Sequence, residues 1–295
     1  MNLSRSKQDW QKRSNTRSII NVFVSALSAL QNPLVALPSL IYFLLHLAVM
    51  IIYLNIHSGI LHSFWSFFIG GISPDVFRHY PHHIILMQAV LGRFDIFLDI
   101  FIHIIMQGAT VVMVGSVLSG RTPSAAGSFA RTFRHYPQLL AVSIIGSGAI
   151  FLIINISEMV TSSLIPGARL ISAGGSVLLA LIIQGVLVYT TPLILLEGKD
   201  VFPSIRKSLS MAGKMIILTS LLILIPFILT LPSVLLDIKA EMISFRLSPD
   251  FIIYNHTVGE LLQTIATYLI TAGSAVVVIM YKIKTLDESN TAKGG

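Results

Sequence analysis

From Leu34 to Ile56 the chain carries no Asp, Glu, Lys or Arg, and His46 is the one imidazole in that stretch. A run of that length and polarity matches a helix crossing roughly 30 Å of hydrocarbon, which takes about 20 apolar residues. Five more runs qualify. The second ends at Gly120 and starts between His83 and Phe97. The others are Pro137 to Ile156, Leu170 to Leu195, Met215 to Leu236 and Val258 to Tyr281. Lipid offers no partner to a free N–H or C=O, so each run is expected to be helical. Composition agrees: 54% of residues are hydrophobic and 11% charged, against roughly 25% charged in soluble domains, and mean hydropathy is +0.81. The expected fold is an all-α polytopic membrane helix bundle of about six transmembrane helices, with amphipathic interfacial helices on the cytoplasmic side.

The second run needs a closer reading, because 38 residues separate His83 and Gly120 inclusively. Gly92, Arg93 and Asp95 interrupt its start. The expectation is an interfacial stretch that bends near Gly92 and then spans.

Basic residues set the orientation, since Lys and Arg collect in cytoplasmic loops. The first 17 residues hold Arg5, Lys7, Lys12, Arg13 and Arg17. The connection after the second run holds Arg121, Arg131 and Arg134. The one after the fourth holds Lys199, Arg206, Lys207 and Lys214, and the tail adds Lys282, Lys284 and Lys293. The intervening connections are poorer, with Arg78, Arg169, and Lys239 with Arg246. This alternation predicts both termini in the cytoplasm of a cell-membrane protein. The polar start and the length of the first run argue for a retained first helix rather than a cleaved signal. The chain divides into a basic N-terminal segment (1–33), a membrane domain (34–282) and a tail (283–295). A net charge of +7 placed beside apolar runs points to the bilayer and its anionic headgroups, with room for a protein partner and no nucleic acid.

The cytoplasmic connections share a plan. Ser18 to Leu30, Ser124 to Phe133 and Pro203 to Met211 each interleave small or polar residues with apolar ones at helical spacing. They lead into Asn32-Pro33, Tyr136-Pro137 and Gly213-Lys214, and Gly120-Arg121 and Gly198-Lys199 open the second and third alike. The plan predicts a threefold repeat of interfacial helix, outgoing span, outer loop and returning span. Phe77-Arg78-His79-Tyr80-Pro81 also recurs as Phe133-Arg134-His135-Tyr136-Pro137, on opposite sides of the membrane in this topology.

The segment Thr191-Pro192-Leu193-Ile194-Leu195-Leu196-Glu197-Gly198-Lys199, with Pro203-Ser204-Ile205-Arg206-Lys207-Ser208 after it, ends a span in an acidic-glycine turn and opens a basic helix. It resembles a broad group of prokaryotic six-helix proteins related to the membrane region of glycerophosphodiester phosphodiesterases. Gly115 through Arg134 looks similar to the matching part of that group. The resemblance covers the central half of the chain, and it implies a six-helix membrane fold but no catalytic residues. The soluble barrel that carries the phosphodiesterase activity has no counterpart in the sequence.

Chemistry is sparse. There is no cysteine, which excludes disulfides, thiolate metal sites and cysteine nucleophiles. No nucleotide loop, His-Glu-x-x-His or Gly-x-Ser-x-Gly occurs. No catalytic, cofactor or metal residue is assigned, and no cofactor is called for. Asp95, Asp99, His103 and Gln107 fall four apart and share one helical face. Charge within a bilayer is functional by default. Counting 22 residues, or about 33 Å, back from Arg121 puts Asp99 at the outer interface, so the face is read as an interfacial cluster paired with Arg93. His46, Asn155 and Gln184 are read as interhelical contacts. His57, His62, His79, His82 and His83 are read as a histidine-rich outer loop, not a zinc site. Gly146-Ser147-Gly148-Ala149, Ala173-Gly174-Gly175-Ser176 and Ala272-Gly273-Ser274-Ala275 are read as close helix contacts.

The functional expectation is a non-enzymatic scaffold or partner-binding membrane subunit. The alternatives are a small-solute or ion permease and, last, a lipid-modifying enzyme. A solid apolar interior favours the first, a polar cavity reaching the midplane the second, and a headgroup pocket lined by Asp99 and His103 the third.

Overall fold

The structure is a computed structural model that describes residues 19–55, 84, 87–161, 166–238 and 250–280, and every described element is helical. The histidine-rich loop, the first copy of the Phe-Arg-His-Tyr-Pro motif, both terminal segments and the Arg93 side chain lie outside the described residues. In chain order the helices are α1 (Ile19–Ala29) and α2 (Pro33–Leu54). Next comes α3, in which Met87–Leu98 passes through a π turn, Asp99–His103, into Ile104–Leu118. Then follow α4 (Ala125–Arg134), α5 (Tyr136–Thr161), α6 (Pro166–Leu187), α7 (Thr190–Glu197), α8 (Val201–Lys214) and α9 (Ile216–Ile238). The last is α10 (Asp250–Met280), with a π segment at Ile265–Ala272.

Five helices are long and apolar enough to cross a membrane, and α8 with α9, bent by 100° at their junction, makes up to six. Leu40, Leu44 and Ile51 on α2, Phe151 and Leu152 on α5, Leu178 and Ile182 on α6 and Ile228 on α9 all point outward. An exposed apolar surface of this extent suits lipid as the surrounding solvent and would be a liability in water.

Local chemistry sets the boundaries. Asn32 accepts from the Leu34 N–H at 3.1 Å and Pro33 takes the first helical position, so α2 starts with its orphan donors provided for. Ser124 accepts from the Gly127 N–H at 3.2 Å to start α4. Gly120 and Gly198 close α3 and α7 with φ of 70° and 66°, a left-handed conformation that costs a glycine nothing. The fourth span breaks where a single helix was expected, between Leu187 and Thr190. Pro192, in the first turn of α7, has no N–H to return to the carbonyl of Val188. The second span runs helically through Gly92; its irregularity is the π turn farther along.

The threefold plan is visible in the packing. The C-terminal stretches of the second, fourth and sixth spans, residues 108–115, 189–195 and 271–279, are continuously buried. A short helix lies against each. A Cβ on Gly108 would meet the Thr132 Cγ2 of α4 at 2.6 Å, and one on Gly273 would meet the Ala26 Cβ of α1 at 3.6 Å. Ser208 of α8 donates to the Val186 carbonyl and accepts from the Tyr189 N–H at 3.3 Å. Each short helix thus docks on the returning span of the neighbouring unit: α4 on α3, α8 on the α6–α7 junction, α1 on α10. Cations finish this end of the bundle. Arg131 donates to the Leu195 carbonyl at the end of α7, as cations do at helix C-termini. Glu197 is bridged by Lys207 and by Lys199, the latter at 3.1 Å.

The small-residue runs behave differently from one another. Gly146 allows α5 to approach Leu187 of α6, whereas Gly174 and Gly175 have nothing within 4 Å of a Cβ and are not close contacts. Asn155 bonds the Phe151 carbonyl of its own helix at 2.8 Å, so it is not the interhelical contact expected of it.

Candidate functional site

The polar groups of α2, α3 and α10 converge. On α3, Asp95, Asp99, His103 and Gln107 are brought to one side by helical spacing. Asp99 accepts from the Tyr42 phenol of α2 at 2.6 Å. Tyr42 is the tenth of the 22 residues of α2, so Asp99 lies level with the middle of a span. Residues 108–115 of this 29-residue helix are sheathed by α4 and α7, so length counted back from Arg121 includes a stretch encased in protein.

Asp95 faces His46. The His46 Nδ1 lies 3.3 Å from the Asp95 Oδ1 and 3.4 Å from the Glu260 Oε2 of α10. Two turns along α3 from Asp95, the His103 Nδ1 and the Tyr268 hydroxyl are 2.8 Å apart. Tyr42 sits among them, its ring 4.5 Å from His46, 5.4 Å from His103 and 5.5 Å from Tyr268. The result is a contiguous layer of carboxylates, imidazoles and phenols where α2, α3 and α10 meet. Among these groups Glu260, Tyr42 and Tyr268 were missed by sequence reading. The offset between Glu260 and the four-residue ladder of α3 is visible only when α10 is placed beside it.

Both π segments, Asp99–His103 and Ile265–Ala272, sit in this layer. A π turn leaves backbone carbonyls displaced from their usual donors and recurs at functional sites. Here the carbonyls of Asp99, Phe101 and His103 receive the hydroxyls of Ser143, Tyr136 and Tyr268, each at 3.4 Å.

Beside the layer opens a cavity of about 300 Å³ between α3, α5, α6, α7, α9 and α10. Asp99, His103 and Gln107 line one wall. Ser143 and Ser147 of α5, Gln184 of α6 and Thr191 of α7 line others, with Gln263, Thr267 and Thr271 of α10. Thr191 approaches the Gln107 carboxamide oxygen at 3.5 Å. Apolar residues including Val142, Ile183, Leu222 and Pro226 complete the surface. Three of the four residues of the α3 face therefore open on the cavity, and Asp95 turns to the His46 side. Gln184, expected as a helix contact, is a cavity-wall residue.

The chain matches no family model, and neither a curated protein nor a solved structure matches it.

Proposed function

We propose that this chain is a multi-pass permease of the cell membrane, with both termini in the cytoplasm, that binds a small polar solute in the cavity beside Asp99. The carrying observation is the cavity: about 300 Å³ of space with polar and apolar groups mixed in its walls, at the level of Tyr42 in the middle of α2. A solid apolar interior would have favoured the scaffold reading. The volume stands at the lower end of the range of ligand pockets, roughly 300–1,000 Å³. The walls mix one carboxylate, one imidazole, carboxamides and hydroxyls with apolar side chains, the composition of a hydrogen-bonding recognition site. Asp99 suits a solute that carries a cationic or strongly donating group.

Proline supports the same reading. Pro226 and Pro232 lie within α9, and Pro226 lines the cavity. Broken or kinked helices at membrane depth are tolerated where they border protein or a cavity. The reading is of a carrier rather than an enzyme, because the polar groups are spread around a space as binding walls. Kinship with the membrane region of glycerophosphodiester phosphodiesterases is proposed on the motifs of the central connections alone, and it contributes no residue to this reading.

The experiment is a thermal-stability screen of the purified chain in detergent against small polar solutes, followed by uptake in vesicles for any solute that stabilises it. A solute whose stabilisation is lost in Gln184→Leu and Asp99→Asn supports the permease. Stabilisation unaffected by both substitutions, or co-purification of a stoichiometric protein partner with no solute response, returns the chain to the scaffold class.

A further inference from the structure

We propose that His46, Asp95 and Glu260 form a binding site for one divalent transition-metal ion of the zinc class, held between α2, α3 and α10. The site is separate from the solute cavity, so it stands or falls independently of the permease reading.

Geometry carries the proposal. The three donor atoms come from three different helices and lie within 4.8 Å of one another. The two separations measured from the imidazole are 3.3 and 3.4 Å. With metal–ligand bonds of about 2.0–2.2 Å, the edge of a tetrahedron of N and O donors around zinc is roughly 3.4 Å. The same separations are long for hydrogen bonds, which cluster near 2.9–3.0 Å for N–H to oxygen. One Nδ1 also carries at most one proton, and it faces two carboxylates. A metal ion answers both carboxylates and the ring nitrogen at once.

Charge and burial point the same way. Two carboxylates and a neutral imidazole carry a formal charge of −2, which a dication cancels. His46 is 93% buried, since 7% of its surface is exposed. The mixed nitrogen and oxygen donor set selects the ion. Calcium and magnesium prefer oxygen ligands and six or more of them, whereas imidazole with carboxylate suits zinc and its neighbours.

The test uses the full, tag-free chain in detergent, stripped with a chelator and titrated with Zn²⁺ by calorimetry and with Co²⁺ by visible absorbance. The expected result is one equivalent bound, with the intense visible bands of four-coordinate cobalt. Glu260→Gln and Asp95→Asn are each expected to weaken binding about tenfold or more, since even outer-shell changes at metal sites cost 10–100-fold. A variant with His79, His82 and His83 all replaced by Ala retains the ion, as does Gln184→Leu. The proposal is overturned if the wild-type chain takes up no stoichiometric metal, if uptake survives both carboxylate substitutions, or if it disappears with the loop histidines. Should either carboxylate variant fail to fold, the wild-type stoichiometry and cobalt spectrum decide alone.

Discussion

The Thr271 hydroxyl of α10 donates to the Leu222 carbonyl of α9 at 3.0 Å. Leu222 is four residues before Pro226, whose ring nitrogen has no hydrogen to return to that carbonyl. The proline frees an acceptor inside the bundle, and a side chain from the neighbouring helix occupies it. This links a proline in one span to the packing of another, at the edge of the solute cavity, where both Thr271 and Pro226 stand.

Thr271→Val is therefore expected to leave a buried carbonyl without its partner. The cost is about 1 kcal/mol: soluble proteins give roughly 1–3 for an orphaned buried group, and interhelical bonds in membranes average about 0.6. Pro226→Ala restores the missing N–H, so the double variant should recover most of the loss. A double-mutant cycle of melting temperatures in detergent checks this. Additive effects of the two substitutions would contradict the pairing.

Tyr42→Phe tests the layer that joins α2 to α3. It removes the donor that reaches Asp99 at 2.6 Å while preserving the ring packed on His46, His103 and Tyr268. A hydrogen bond to a charged group contributes about 1.5–3 kcal/mol in soluble proteins. The expected outcome is a lower melting temperature in Tyr42→Phe and a smaller further loss when Asp99→Asn is added. Equal losses in the two backgrounds would show that the phenol acts through packing alone.

How much of this was legible in the sequence follows from the physics of each signal. Burial in lipid needs length and apolarity, both local properties, so each of the six runs falls on described helix, five of them long and apolar enough to cross a membrane and the sixth only with α8 and α9 taken together, with α6 and α10 starting early. Caps and turns are also local: Asn32-Pro33, Ser124, Gly120 and Gly198 each do in the structure what their residue type predicts. The Asp95–Gln107 face was legible as a ladder. Its depth was not, because that depends on how far α4 and α7 climb along α3, a tertiary fact. The same holds for Glu260 and Tyr42, single polar residues in apolar runs whose meaning comes from a partner on another helix. The break before Thr190 was foreshadowed by Pro192 but masked by the unbroken apolarity around it.

The two left-handed glycines separate conformational need from mere presence. Gly120 and Gly198 have positive φ and open space around a Cβ, while Gly213 also has open space but no positive φ. A side chain in the left-handed region costs roughly 1–2 kcal/mol, whereas Ala in an exposed helix improves on Gly by about 1 kcal/mol. Gly120→Ala and Gly198→Ala should lower the melting temperature. Gly213→Ala, within α8, should leave it unchanged or raise it. A destabilised Gly213→Ala would mean that the α8–α9 elbow uses glycine for the bend itself.

Orientation can be tested without background, because the chain has no cysteine of its own. Each single substitution to cysteine therefore reports on one position. Ser124 caps α4 on the face that carries Arg131 and Arg134, and the alternation of Lys and Arg assigns that face to the cytoplasm. In intact cells Ser124→Cys and Thr291→Cys should resist a membrane-impermeant maleimide and react after permeabilisation, whereas Ser58→Cys, in the first outer connection, should react at once. The three-unit plan makes the test more demanding than a single label would. Ser124 and Asp200, the N-caps of α4 and α8, sit at corresponding places in successive units, so Asp200→Cys must follow Ser124→Cys. Labelling of the two from opposite sides would break both the topology and the repeat.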